Sequence, residues 1–189
     1  MIVNSLNWIT ITALLLALAL LLACGGDSGG NGSSGGGDGD DREMAADFPI
    51  IVSQGQDVLG GEQVAMASLV GEKPVVLNFW AAECPPCRAE LPEFQKFYGE
   101  YHDDVLVLGI DLGQFTGQGT TEQGLQLLAE LGVGFPAGYT EDSDVLPNYG
   151  VLGLPTTVFI NGDGTIHTKW TGALNEEVLI EKADEMLDG

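Results

Sequence analysis

Hydrophobic residues are distributed along this chain in three regimes. Residues 13–23 form an unbroken apolar run, preceded by Ile9-Thr10-Ile11-Thr12 and closed by Leu21-Leu22-Ala23-Cys24. Residues 25–41 consist only of Gly, Ser, Asn and Asp. From Phe48 onward, short apolar segments alternate with turn residues, which marks the start of a folded domain. Within it, Val75-Val76-Leu77-Asn78-Phe79-Trp80 is nearly continuous in apolar character, the pattern of a central strand covered on both faces. Residues 105–111 repeat that pattern. Residues 48–53 and 64–66, separated by Gln54-Gly55 and Gly60-Gly61, predict a short hairpin, and residues 68–74 a connector. A helix is predicted from the Cys84 segment to about Glu100, and another over residues 120–131, where Leu125, Leu128 and Leu131 recur at helical spacing. Residues 156–160 read as a strand, Asn161-Gly162-Asp163-Gly164 as a tight turn and residues 165–170 as the antiparallel return. A last helix over residues 175–187 has Asn175 as N-cap, with Glu176 and Glu177 favourably placed in its first turn. Strands alternating with helices and ending in a hairpin predict an α/β fold: a central mixed β-sheet flanked by helices on both faces, with an N-terminal β-hairpin extension.

The N-terminal pattern divides the chain into three parts. Residues 1–23 read as a signal peptide or membrane anchor, residues 24–46 as a lipidated Cys24 followed by a disordered Gly/Ser/Asp tether, and residues 47–189 as the domain. Leu21-Leu22-Ala23-Cys24 resembles a bacterial lipobox, in which the chain is cut before the cysteine and the new first residue is lipidated. Residues 1–8 contain no Lys or Arg, whereas export signals carry positive charge there. The alternative is an uncleaved helix over residues 2–23, since spanning takes about 20 residues. Either reading anchors the protein to the lipid membrane through its N-terminus and puts the domain on the extracytoplasmic face. A tether of roughly 20 flexible residues spans about 25 Å root-mean-square, enough to hold the domain clear of headgroups.

Charge narrows the partners. The chain has 28 acidic and 6 basic residues, a formal net charge of −22. Nucleic acid is excluded as a partner because phosphate neutralisation needs clustered Lys and Arg. The acidity reads as a solvated surface, with steering of basic partners as the alternative.

Of the three cysteines, Cys24 belongs to the lipobox, and the other two form Cys84-Pro85-Pro86-Cys87. None is left over for a second disulfide or a four-ligand zinc site. Cysteines at i and i+3 on a helix start can close and reopen a small disulfide loop. Cys84 lies where free backbone N–H groups and the helix dipole stabilise a thiolate. Pro85 and Pro86 suit a first turn that has no use for its own N–H groups. Cys87, one turn deeper, is the candidate resolving thiol. Three alternatives compete with redox exchange. A structural disulfide closing so small a loop stabilises little. A Cu(I) site would need the two thiolates, with His102 and His167 both away from the motif in sequence. A peroxidatic cysteine would call for Thr where Ala81 stands.

The stretch Asn78-Phe79-Trp80-Ala81-Ala82-Glu83-Cys84-Pro85-Pro86-Cys87-Arg88-Ala89-Glu90-Leu91-Pro92 resembles the active-site segment of TlpA/ResA-like thioredoxin-family proteins. The likeness continues through Tyr149-Gly150-Val151-Leu152-Gly153-Leu154-Pro155-Thr156 and Gly172-Ala173-Leu174, spanning about residues 48–187. It implies a thioredoxin-like fold and a thiol-disulfide oxidoreductase with Cys84, Cys87 and Glu90 as its catalytic residues. Cys84 would be the exposed attacking thiol and Cys87 the buried one, with Glu90 serving the proton transfers that the missing strand Asp would serve in thioredoxins proper. Pro155 would be cis and face the cysteines. Leu154 and Pro155, with Pro85, Pro86 and Trp80, would bind an extended substrate, the Leu154 backbone pairing with it as an added strand. Trp80 and Phe79 also read simply as core residues. Pro92 should kink the helix. The resemblance implies no bound cofactor or metal beyond the redox-active Cys84–Cys87 disulfide. It implies a monomer that takes electrons from a membrane thiol donor and reduces protein disulfides, apocytochrome c among the candidates. A thiol oxidase or isomerase for exported proteins would use the same residues, and a tethered Cu(I)-binding module is the non-enzymatic alternative. Glu83 departs from the family pattern: a carboxylate beside Cys84 should raise its pKa and favour a moderately reducing protein.

Overall fold

The computed structural model describes residues 42–189. Cys24, the segment 1–23 and most of the segment 24–46 lie outside the described residues. The elements in chain order are β1 (Pro49–Gln54), α1 (Gln56–Leu59), β2 (Gln63–Ala65), a 3-10 turn at Met66–Ser68, β3 (Val75–Trp80), α2 (Pro85–Tyr101), β4 (Leu106–Asp111), α3 (Gly113–Thr116), α4 (Thr121–Leu131), β5 (Ala137–Tyr139), α5 (Val145–Tyr149), β6 (Thr156–Ile160), β7 (Ile166–Thr171) and α6 (Glu176–Asp188). The strands form one sheet in the order β2-β1-β5-β4-β3-β6-β7. β3 pairs in parallel with β4 and β4 with β5, while the remaining pairs are antiparallel. This is the mixed, helix-flanked sheet of the thioredoxin-like fold. The N-terminal hairpin joins it through β1 and β5, with Ile51 opposite Tyr139.

Strand periodicity explains the two-sided core. On β3, Val75, Leu77 and Phe79 point into one cluster, and Val76 and Trp80 into the other. The cluster around Val76 is closed by Leu91, Phe94 and Phe97 of α2, Leu127 and Leu128 of α4, and Leu179, Ala183 and Met186 of α6. The opposite cluster is closed by Leu59 of α1 and by Val145 and Tyr149 of α5. Asn78, of the same parity as Val76 and Trp80, therefore faces α2, and this polar residue in an apolar run bears directly on the site.

Two local expectations change. The stripe of α4 does not run through Leu125, which is 43% exposed, but through Gly124, Leu127 and Leu128. Gly124 sits flush on the sheet, against Asp111 and Trp80, and this turns the buried face by one residue. Residues 43–46, assigned from composition to the tether, are held by the domain. Ile166 donates to the Glu43 carbonyl at 2.6 Å, Ala45 donates to Gly164 at 2.9 Å, and the Tyr149 hydroxyl donates to the Ala46 carbonyl at 2.6 Å. Such backbone pairing needs no apolar side chains, so it leaves no hydrophobic pattern to read.

Candidate active site

The site is built where β3 ends. The Trp80 carbonyl accepts the Leu112 N–H at 2.9 Å, tying the strand end to the β4–α3 turn. Residues 81–83 then turn the chain into α2, with Cys84 as N-cap and Pro85 and Pro86 in the first turn. Cys84 and Cys87 are joined by a disulfide, with Cα atoms 5.3 Å apart. The Cys87 N–H, one of the helix's unpaired donors, points at Cys84 Sγ at 3.3 Å. A backbone N–H aimed at this sulfur is the arrangement that stabilises a thiolate once the bond is opened.

Both sulfurs are enclosed. Cys84 is 1% and Cys87 0% exposed, and both belong to the cluster containing Trp80 and Leu91. The expectation of an exposed Cys84 is thus corrected for the disulfide form, in which it packs into the core cluster with Cys87. Pro85 and Pro86 remain exposed at the helix tip. Trp80, at 1% exposure, is a core residue and presents no surface to a substrate, which corrects its assignment to the binding rim. Its inward face follows from strand parity.

The Leu154–Pro155 peptide is cis. β6 begins at Thr156, opposite Phe79 in the register, so Leu154 and Pro155 lie beside the end of β3 from which the cysteine segment departs. Pro155 is buried, Leu154 half-buried and in contact with both core clusters, and Leu152 is 97% exposed.

Glu90, three residues past Cys87 on the same face of α2, is 1% exposed. Its Oε1 accepts from Asn78 Nδ2 at 2.8 Å and its Oε2 from the Leu174 N–H at 3.0 Å. Burial pushes its pKa from 4.5 up to about 7, and the bonds from Leu174 and Asn78 pull against that rise. Asn78 Nδ2 also meets Thr157 Oγ1 at 3.2 Å, while Asn78 Oδ1 is buried without a partner among the described residues. Glu90 further lines an open cleft of about 420 Å³ with Ala89, Glu93, Trp170 and Ala173, which gives its proton a route to solvent. A carboxyl poised near neutrality one helical turn from a buried sulfur can take and return a proton at working pH.

Sequence reasoning missed the Leu174 N–H, which comes from a loop 84 residues away along the chain. It also missed Asp111, buried at the end of β4. Its pKa is pushed up to about 6 by burial, against the bond it accepts from the Gly113 N–H. The backbone N–H of Leu174 carries no side-chain signal, whereas Asp111 inside an apolar strand pattern could have been flagged as a buried acid. His102 lies just past α2, its ring beside the Tyr98 carbonyl, and His167 pairs with Glu185 at 2.9 Å. Among the described residues no three His, Cys, Asp or Glu side chains group closely enough to hold a metal ion.

The chain matches the AhpC/TSA family over residues 43–169. It is 32% identical over 144 residues to the thiol-disulfide oxidoreductase ResA of Halalkalibacterium halodurans, covering 75% of this chain and 77% of that protein. Among solved structures, an exposed lipoprotein thioredoxin of Streptococcus pneumoniae is similar with a TM-score of 0.62 and 25% identity, covering 74% of this chain and 99% of the other. StoA of Bacillus subtilis is similar with a TM-score of 0.59 and 25% identity, covering 72% and 96%. Sequence match, shared fold and a bonded cysteine pair agree, and the chain belongs to the AhpC/TSA family as a thioredoxin-like thiol-disulfide oxidoreductase of the ResA and StoA type.

Proposed function

We propose that this oxidoreductase runs as a reductase of protein disulfides on the extracytoplasmic face of a membrane, with apocytochrome c as a candidate substrate. The observation that carries the exchange is the buried Glu90, held near neutral pKa one turn past Cys87, a base for releasing the thiolate of the inner cysteine. The reducing direction rests on Glu83, whose carboxylate next to Cys84 disfavours its thiolate. In the reduced protein the Cys84 thiolate attacks one sulfur of the substrate disulfide, forming a mixed disulfide and expelling the other sulfur as a thiolate. Cys87 passes its proton to the Glu90 carboxylate and attacks Cys84 Sγ, expelling the second substrate sulfur. Both expelled thiolates take up protons. The substrate gains two electrons and the protein is left with the Cys84–Cys87 bond. No bound cofactor enters, and none is needed.

Re-reduction requires a thiol donor, by chemical class a membrane dithiol protein. Its thiolate must reach Cys84 Sγ, which is enclosed in the disulfide form, so local opening at the helix tip precedes attack. Leu154, beside the end of β3, offers its backbone to an extended substrate, with Pro85 and Pro86 on the opposite rim. The extracytoplasmic location is supported by the lipobox-like Cys24 segment and by the name of the pneumococcal relative, an exposed lipoprotein. Among the described residues no helix is long and apolar enough to cross a membrane; the anchor is residues 1–23, or Cys24 once lipidated. The protein acts as a monomer.

Two measurements test this reading. Cys87→Ser in the producing cell should accumulate mixed disulfides on Cys84, and mass spectrometry of the captured chains identifies substrate and donor. Equilibration of the full-length protein against dithiothreitol should give a potential near about −270 mV, whereas about −120 mV would make it an oxidant and overturn the proposed direction.

A further inference from the structure

Glu83, the residue immediately before Cys84, is exposed, yet it is fixed in place from both backbone and side chain. Its N–H donates to the Gln118 carbonyl at 2.9 Å, and its Oε1 accepts from Gln123 Nε2 at 2.9 Å. Gln123 is itself locked. Its Oε1 accepts the Thr120 N–H at 2.8 Å and its own N–H donates to Thr120 Oγ1 at 3.3 Å, the reciprocal capping box that starts α4. Gly119, with φ +111°, brings the α3–α4 loop so close that a Cβ there would lie 3.0 Å from Ala82 Cβ and 3.5 Å from Glu83 Cγ. No cation neutralises this carboxylate: Glu83 makes no ion pair among the described residues, and Arg88, the cation of the first turn of α2, is committed to Glu130 at 3.0 Å.

We propose that Glu83, positioned by Gln123, is a specificity residue that selects substrates with Lys or Arg beside the cysteine under attack. This rests on the dithiol-exchange reading above and names the substrate class of that same site. In a mixed disulfide the two Cα atoms lie about 4.4–6.8 Å apart, and the residues flanking each cysteine are one 3.8 Å step further on. A basic side chain next to the substrate cysteine therefore reaches the Glu83 carboxylate, and an acidic one meets it as a like charge. A carboxylate already held by a hydrogen bond loses little further freedom on pairing. That separates it from the many free carboxylates of this surface.

The test uses reduced full-length protein and two oxidised Cys-x-x-Cys peptides that differ only in Lys or Glu before the first cysteine. Single-turnover rates are read from acid-quenched samples. Wild type should reduce the Lys peptide about fivefold faster at low ionic strength. Glu83→Gln should bring the ratio close to one, and Glu83→Lys should invert it. Glu62→Gln removes the same charge from the β1–β2 hairpin, four strands from β3 in the sheet, and should leave the ratio unchanged. Gln123→Ala should lower the ratio to about twofold while the rate with a peptide carrying Gln at that position stays the same, a split that mere loosening of α4 would not produce. A ratio that survives Glu83→Gln, or a wild type that reduces both peptides equally, overturns the selectivity and leaves dithiol exchange standing. Reduction of neither peptide overturns both.

Discussion

Glu90 is held by two donors, and the burial of its carboxyl outweighs both of them. Its folded pKa of about 7 lies above the ordinary 4.5, so between those pH values the folded protein keeps a proton that the unfolded chain has lost. This contribution is fully present below pH about 4.5, is lost as pH rises toward 7 and is flat above it. The cost to the folded state at neutral pH is about 3 kcal/mol. Glu90→Gln removes it: urea midpoints of the oxidised protein at pH 4.5 and 7.5 should converge in the variant relative to wild type, and parallel behaviour would contradict the placement of Glu90. The orphaned Asn78 Oδ1 fits the same picture. Rotating that amide would place an acceptor where Nδ2 now meets Glu90 and Thr157, matching a protonated carboxyl and a hydroxyl donor. The amide orientation is thus tied to the protonation state of Glu90. Glu90 was legible through the resemblance of its segment to TlpA/ResA-like proteins, which carry a glutamate at this spacing from the inner cysteine. Its partner Leu174 was not, because a backbone N–H has no side-chain signature and this one arrives from the far end of the chain.

At the scale of elements, legibility follows length and burial. β3, β4, β6 and α2 carry enough consecutive pattern to be read directly, and the Asn175 cap of α6 accepts the Val178 N–H at 3.1 Å. β5, with three residues, and α3 and α5, with four and five, are too short to show a period, and they exist because the sheet and its loops supply the pairing. The buried face of α4 was misjudged for another reason: Gly124 is an absence of side chain, and hydrophobic periodicity does not count absences. A Cβ at Gly124 would overlap Asp111 Oδ2 and come within 3.4 Å of Trp80 Cη2. Alanine there gains about 1 kcal/mol of helix propensity but forces α4 off the sheet or Asp111 out of its bond with Gly113, so Gly124→Ala should cost about 2 kcal/mol net. Thermal unfolding should show this as a Tm lowered by about 5 °C. An unchanged or raised Tm would mean that α4 packs less closely than the structure has it.

For the molecule as a whole, the question is how a chain with 28 acidic and 6 basic residues holds together. The few cations are nearly all engaged: Arg42 with Asp163, Arg88 with Glu130, Lys96 with Glu93, Lys169 with Glu43, and Lys182 with Glu181 and Glu185. Lys73 caps the end of α2 through the His102 carbonyl at 3.0 Å. These pairs are exposed and each contributes little, while the remaining carboxylates repel one another over distances that salt screens. Two opposite responses to ionic strength are therefore in competition. Loss of the ion pairs would lower stability in salt, and relief of the net charge of −22 would raise it. The second dominates, because unpaired carboxylates far outnumber paired ones and repulsion between many like charges accumulates across the surface. Raising NaCl from about 0.02 M to 0.5 M shortens the screening length from roughly 20 Å to about 4 Å, below the spacing of most surface charges. The urea midpoint at pH 7.5 should rise over that range and level off beyond it. A midpoint that falls would mean that the ion pairs hold the fold, and that the acidic surface is already relaxed by the spacing of its charges.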